Sequence, residues 1–140
     1  MNPPAMTAEA LNAFMAAGFA KWDRTGITIE EAAHRFVRLK MVTGDRSLRP
    51  GGTVSGPAMF MLADTALYAA VLASVGPKAL AVTVNMSINF LRKPEPRDLI
   101  AECRLLKLGR RLAVGDVVIH SEGEDEPVAQ ATGTYAIPAD

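Results

Sequence analysis

Residues 49–76 read RPGGTVSGPAMFMLADTALYAAVLASVG, and from Pro50 to Gly76 the only charged side chain is Asp64. Ser55-Gly56-Pro57 predicts a helix start: Ser or Gly suits the cap, and proline, with no N–H to lose, suits the first turn. The helix is predicted to run to about Ser74. Met59, Phe60, Met61, Leu62, Leu67, Val71 and Leu72 occupy nearly all its faces, and a helix apolar all round is surrounded by protein. Its length approaches that of a membrane span, but a central Asp costs about 2.5–3.5 kcal/mol on insertion scales. Gly76-Pro77 then closes it as a core helix is closed, so no membrane association is expected.

The rest of the chain is read outward from this helix. At 140 residues with a formal net charge of zero, it has the size of one domain (1–140) and no basic field for nucleic acid. One cysteine, Cys103, and two histidines exclude an internal disulfide and argue against a structural zinc site. A reducing, cytoplasmic setting is expected. Upstream, Leu11, Phe14, Met15, Gly18, Phe19 and Trp22 recur at helical spacing behind a Thr7 cap, predicting an N-terminal helix within residues 1–24. Ile27–Met41 reads as extended with a break near Glu30–Ala33, and Thr43–Gly52 as loop.

Downstream, Ala81–Leu91, Leu99–Leu108, Leu112–His120 and Val128–Ile137 are β-rich runs separated by turn residues. Their short connections predict an antiparallel meander. One buried helix and one antiparallel sheet have a ready solution, in which the sheet curls around the helix. The expected class is therefore α+β with the hotdog arrangement, over residues 27–137.

Asp64 is the first candidate for chemistry. A carboxylate inside an apolar helix needs partners or a raised pKa. Thr65, Tyr68 or a backbone amide would make it structural; the same surroundings suit a nucleophile or general base. The helix start at Ser55-Gly56-Pro57 offers backbone N–H groups and a dipole that would hold a developing oxyanion, or it is simply a cap. Gly56 and Asp64 are eight residues apart, about 12 Å along a helix rising about 1.5 Å per residue. Acting on one carbonyl, they must come from two subunits.

On AVTVNMSINFL, strict alternation puts Val82, Val84, Met86, Ile88 and Phe90 on one face. Thr83, Asn85, Ser87 and Asn89 fall on the other, polar but uncharged, which suits a subunit interface, a ligand channel or solvent. Arg92-Lys93, and Lys107 with Arg110-Arg111, stand at turns where they would clasp phosphates or simply be solvated. Glu122–Glu126 reads as a solvated hairpin tip, His34 and His120 as structural, and Cys103 as core.

GGTVSGPAMFMLADTALYAA, AVTVNMSINFLRKP, LGRR and VAQATGTYAI together resemble the PaaI-like acyl-CoA thioesterases of the hotdog superfamily. The resemblance implies hydrolysis of an acyl- or aryl-acyl-CoA to free acid and CoA, with no metal or redox cofactor. It implies that Asp64 is the nucleophile or general base, that the Gly56 amide polarises the thioester, and that Thr83 helps place water. It also implies that Arg92, Arg110 and Arg111 meet the nucleotide end of CoA, in a homodimer or homotetramer; Asn85, on the polar face of its strand, is a further candidate for binding the substrate. The family often has His-Gly-Gly at the helix start and an upstream Asn. Here Ser55-Gly56-Pro57 and Arg49 stand in those places, and Arg49 could meet a carboxylate on the acyl group. The rival readings are a non-catalytic acyl-CoA or lipid binder and, behind it, an acyl-CoA hydratase.

Overall fold

The computed structural model describes residues 1–139. Helix α2 spans Gly56–Val75, with Ser55 as its cap accepting the Ala58 N–H at 3.2 Å and Pro57 in the first turn. By length and composition this helix could cross a membrane, but two thirds of its apolar window (67%) is buried inside the fold. Six strands wrap it: β1 (Ile27–Ala33), β2 (Phe36–Met41), β3 (Val82–Phe90), β4 (Leu99–Leu108), β5 (Leu112–Ser121) and β6 (Pro127–Ala136). They form one sheet, antiparallel throughout, in the order β1-β2-β4-β5-β6-β3. This is the hotdog fold.

The predicted four-strand meander holds only for β4-β5-β6. β3 crosses to the far edge and pairs with β6, from Val82↔Ala136 to Phe90↔Ala129. The connection after β3 contains Pro94 and Pro96, which lack ladder donors and favour a crossing over a hairpin. It is stapled to the helix start instead, the Val54 N–H donating to the Pro94 carbonyl at 3.1 Å. The break between the first two strands falls at His34-Arg35, where Arg35 is left-handed (φ 66°), while Glu30 is a bulge in β1. The residue pattern at Glu30–Ala33 marks that bulge rather than a turn.

Helix α1 (Ala8–Gly18) starts at the predicted Thr7 cap but is shorter than its apolar spacing suggests. Phe19 leaves the helix, Lys21 is left-handed (φ 65°), and Trp22–Thr25 forms a separate 3₁₀ turn. Gly26 ends that turn at φ 73°, where a Cβ would lie 2.4 Å from the Val42 carbonyl oxygen; only glycine fits. Asn12 anchors α1 to β1, its amide accepting the Ile29 N–H and donating to the Ile29 carbonyl, both at 2.9 Å.

The sheet packs closely on α2 where Gly115 and Gly133 face each other across β5 and β6. A Cβ on Gly115 would lie 2.4 Å from Leu67 Cδ1, and one on Gly133 2.7 Å from Leu67 Cδ2. Leu67 is thus seated in a notch made by two absent side chains. We expect Gly115→Val to destabilise the fold by about 1–3 kcal/mol through overpacking, read as a lower urea midpoint.

Candidate active site

α2 is not buried all round as predicted. Pro57, Phe60 and Met61 are exposed, and with half-buried Gly56 and Asp64 they form an open stripe along its N-terminal half. Ile88 and Phe90 of β3 flank this stripe, giving a trough that runs from Gly56 to Asp64. β3 is the sheet edge, and Val82, Val84 and Phe90 are each more than half exposed.

Asp64 is held by two hydroxyls that converge on one of its oxygens. Thr83 Oγ1 donates to Oδ1 at 2.8 Å and Tyr135 Oη to the same Oδ1 at 2.7 Å. Neither Thr65 nor Tyr68 serves, since Thr65 donates to the Met61 carbonyl (2.8 Å) and Tyr68 to that of Ala79 (3.0 Å). Among the described residues no hydrogen bond engages Oδ2, and Asp64 lines the trough beside the open stripe. Tyr135 is 4% exposed. Burial pushes its phenol ionisation above the usual tyrosine range, the Asp64 carboxylate adds to this, and a hydrogen bond with Thr83 opposes it. Tyr135 is therefore a protonated donor near neutral pH.

Strict alternation would set Thr83 apart from Met86, Ile88 and Phe90. The register of β3 slips between Thr83 and Asn85. This bulge turns Thr83 toward α2 together with Met86, Ile88 and Phe90, because an extra residue reverses the facing of everything beyond it. Asn85, Ser87 and Asn89 are left on the outer face, where Asn89 donates to Gln130 at 3.0 Å and Gln130 to Asp116 at 2.6 Å. Thr83 is thus at the carboxylate and Asn85 is separated from it. Nothing in the sequence marks the bulge. Tyr135 was missed for a related reason: its approach to Asp64 depends on β3 lying beside β6, where Tyr135 pairs with Thr83.

At the other end of the stripe, the Gly56 amide stands out by elimination. Pro57 has no N–H, the Ala58 N–H is bound by Ser55 Oγ, and the Met59 N–H by the Ser55 carbonyl (3.2 Å). Among the described residues no acceptor takes the Gly56 N–H. Ser55 Oγ thus caps the helix. Arg49, Arg92 and Lys93 border a hollow of about 310 Å³ beside Gly56. Arg92 is ion-paired with Glu124 and with Glu126 (3.4 Å), so the acidic hairpin is a counter-charge rather than a free solvated tip. Arg110 and Arg111 lie at the β4–β5 turn, beside the Val82 end of the sheet. They are separated from Arg92 by the nine residues of β3, about 30 Å at about 3.3 Å per residue. One chain therefore does not gather the three arginines.

Cys103 is fully buried on β4, and burial pushes its thiol well above the ordinary range. Cys103 and Tyr135 are both neutral groups whose ionisation is harder in the folded state. Above about pH 9–10 the unfolded chain loses these protons first, so stability present below that range falls as pH rises. The urea midpoint is expected to drop between pH 8 and 10.5, and less so in a Cys103→Ala, Tyr135→Phe double variant.

The profile of the thioesterase superfamily matches residues 51–128, which contain α2 and the strands β3, β4 and β5. A crystal structure of a candidate thioesterase from Silicibacter sp. TM1040 is 47% identical and covers 97% of this chain and 94% of its own, with a TM-score of 0.88. The PaaI protein from the E. coli phenylacetic acid degradation operon is 25% identical, covers 91% of each chain, and has a TM-score of 0.80. The smu.793 protein of Streptococcus mutans, solved bound to acetyl CoA, is 24% identical, covers 81% of this chain and 89% of its own, and shares the fold at a TM-score of 0.72. With helix, sheet and family profile in agreement, the chain belongs to the thioesterase superfamily as a hotdog-fold member with PaaI proteins among its structural relatives.

Proposed function

We infer that the protein hydrolyses acyl-CoA thioesters at a site shared by two subunits. The observation that carries this reading is the Asp64 carboxylate, fixed through Oδ1 by Thr83 and Tyr135 and open through Oδ2. The thioester carbonyl oxygen accepts the Gly56 N–H of one protomer, where the helix dipole favours the charge that develops on it. Oδ2 of Asp64 from the other protomer takes a proton from water as the water oxygen bonds to the carbonyl carbon. Collapse of the tetrahedral intermediate breaks the C–S bond, and the proton on Asp64 passes to the departing CoA thiolate. Thr83, already donating to Asp64, retains lone pairs to accept from the attacking water. Direct attack by Oδ2 uses the same placement, and single turnover in ¹⁸O-water separates the two routes.

The eight-residue spacing along one helix is what requires the second protomer. The exposed stripe on α2 and the unpaired edge of β3 lie side by side and supply a surface for it. Support for CoA as the thiol carrier comes from the acetyl CoA bound in the Streptococcus mutans relative and from Arg49 and Lys93 beside Gly56. No residue outside this set is required, and neither metal nor redox chemistry enters the reaction as written. Thiol release from acyl-CoAs tests the reading. Turnover is expected; tight acyl-CoA binding with no turnover would make the chain a binding module instead.

A further inference from the structure

A cleft of about 640 Å³ opens on the far side of Asp64, between the α1–3₁₀ segment and α2 of the same chain. Its most distinctive wall is a file of four aromatic rings. Trp22 and Phe19 have centroids 6.4 Å apart, Phe19 meets Tyr68 edge-on at 5.9 Å, and Tyr68 lies 5.9 Å from Tyr135, whose hydroxyl ends at Asp64. Met15, Met61 and Val82 add apolar surface to the lining. Phe19 is 48% exposed, an apolar ring with open surface at the cleft.

The polar groups of this cleft are already engaged. Thr25 Oγ1 donates to the Trp22 carbonyl (2.7 Å) and accepts the Ile27 N–H (3.1 Å). Thr65 and Tyr68 donate to backbone carbonyls, and Thr83 and Tyr135 donate to Asp64. Among the described residues no cation lines the cleft, and the one charged side chain in its lining is that of Asp64. A carboxylate on the acyl group would enter a space with no counter-ion and a like charge at its mouth, losing water without replacement.

We propose that this cleft is the acyl pocket of the site, walled by Phe19 and Trp22, and that it selects a hydrocarbon acyl group larger than acetyl and free of carboxylate. The proposal rests on the thioesterase reading and adds to it the substrate class and the two specificity-determining residues. Arg49, at the opposite end of the α2 stripe, then has no part in recognising the acyl group.

The test compares kcat/KM for acetyl-, octanoyl-, 3-phenylpropanoyl- and suberyl-CoA. Octanoyl and suberyl chains are equally long and differ by a terminal carboxylate; 3-phenylpropanoyl separates ring from chain as the favoured hydrocarbon. Octanoyl-CoA is expected to exceed suberyl-CoA by about 10–100-fold. Ala20→Trp, at an exposed position on the rim, is expected to lower the octanoyl-to-acetyl ratio at least about ten-fold. Phe19→Ala should lower the same ratio. Hydrolysis with equal use of octanoyl- and suberyl-CoA, or a ratio unmoved in both variants, overturns the pocket while leaving the thioesterase reading intact. If no thioester turns over, the thioesterase reading fails, and calorimetry with octanoyl and suberyl thioether analogues of CoA still reads the cleft. Preference for octanoyl that Ala20→Trp abolishes upholds the pocket; equal binding overturns it.

Discussion

Asp64→Asn is expected to lower kcat for acyl-CoA hydrolysis by about 10²–10⁴-fold, the usual contribution of a general base, with little change in binding. The two side chains are nearly isosteric, and the asparagine carbonyl oxygen can accept from Thr83 and Tyr135 as Oδ1 of Asp64 does. The variant should therefore keep its urea midpoint while losing turnover. What it lacks is the basic second oxygen, since an amide nitrogen in that place donates protons and accepts none. Thiol release under saturating substrate, with acyl-CoA binding measured alongside, checks both halves of the expectation. Turnover within a few-fold of the unmodified protein would remove Asp64 from the chemistry.

The second large effect falls on Tyr135, which touches no reacting atom and acts through Asp64 as a positioning residue. A hydrogen bond to a charged group is worth about 1.5–3 kcal/mol. If all of it aligns the carboxylate for proton transfer, Tyr135→Phe lowers kcat by about 10–100-fold. KM should change little, because the ring stays and the acyl group still finds the same wall. A purely structural tyrosine would instead lower stability and disturb KM along with kcat. Thr83→Ser, which keeps the donor, should retain most activity, whereas Thr83→Val should behave like Tyr135→Phe.

These residues also show what the sequence makes legible. The fold follows from one helix apolar enough to need a surrounding sheet, and α2 begins and ends within a residue of where Ser55-Gly56-Pro57 and Ser74–Gly76 mark it. Asp64 is equally visible, because a lone carboxylate in such a run asks for a reason. Its partners are not visible, since they depend on long-range pairing. Tyr135 is 71 residues from Asp64 along the chain, and Thr83 reaches it only because a bulge overrides alternation. The open stripe on α2 was hidden as well: Phe60 and Met61 are apolar, and composition alone cannot tell a residue packed in the core from one left at an edge. The ion pairs of Arg92 with Glu124 and Glu126 were likewise hidden, since they join a turn to a hairpin more than 30 residues along the chain.

The central claim is that Gly56 and Asp64 serve one thioester from different protomers, and subunit mixing tests it most directly. Gly56→Pro removes the amide while keeping the helix start. Proline is tolerated at the first helical position, and Ser55 (φ −73°, ψ 152°) already has the extended backbone that a following proline needs. A Cβ at this position would lie 3.3 Å from Cζ, at the far end of the exposed Phe90 side chain. Alone, this variant should lose about 10²–10³-fold in kcat, and Gly56→Ala, which keeps the N–H, should lose much less. When Gly56→Pro and Asp64→Asn proteins are unfolded together and refolded, half the dimers are mixed and each mixed dimer holds one site with both groups intact. Recovery of about a quarter of wild-type activity is expected from the mixture. Activity no higher than that of the two separate variants would contradict the shared site.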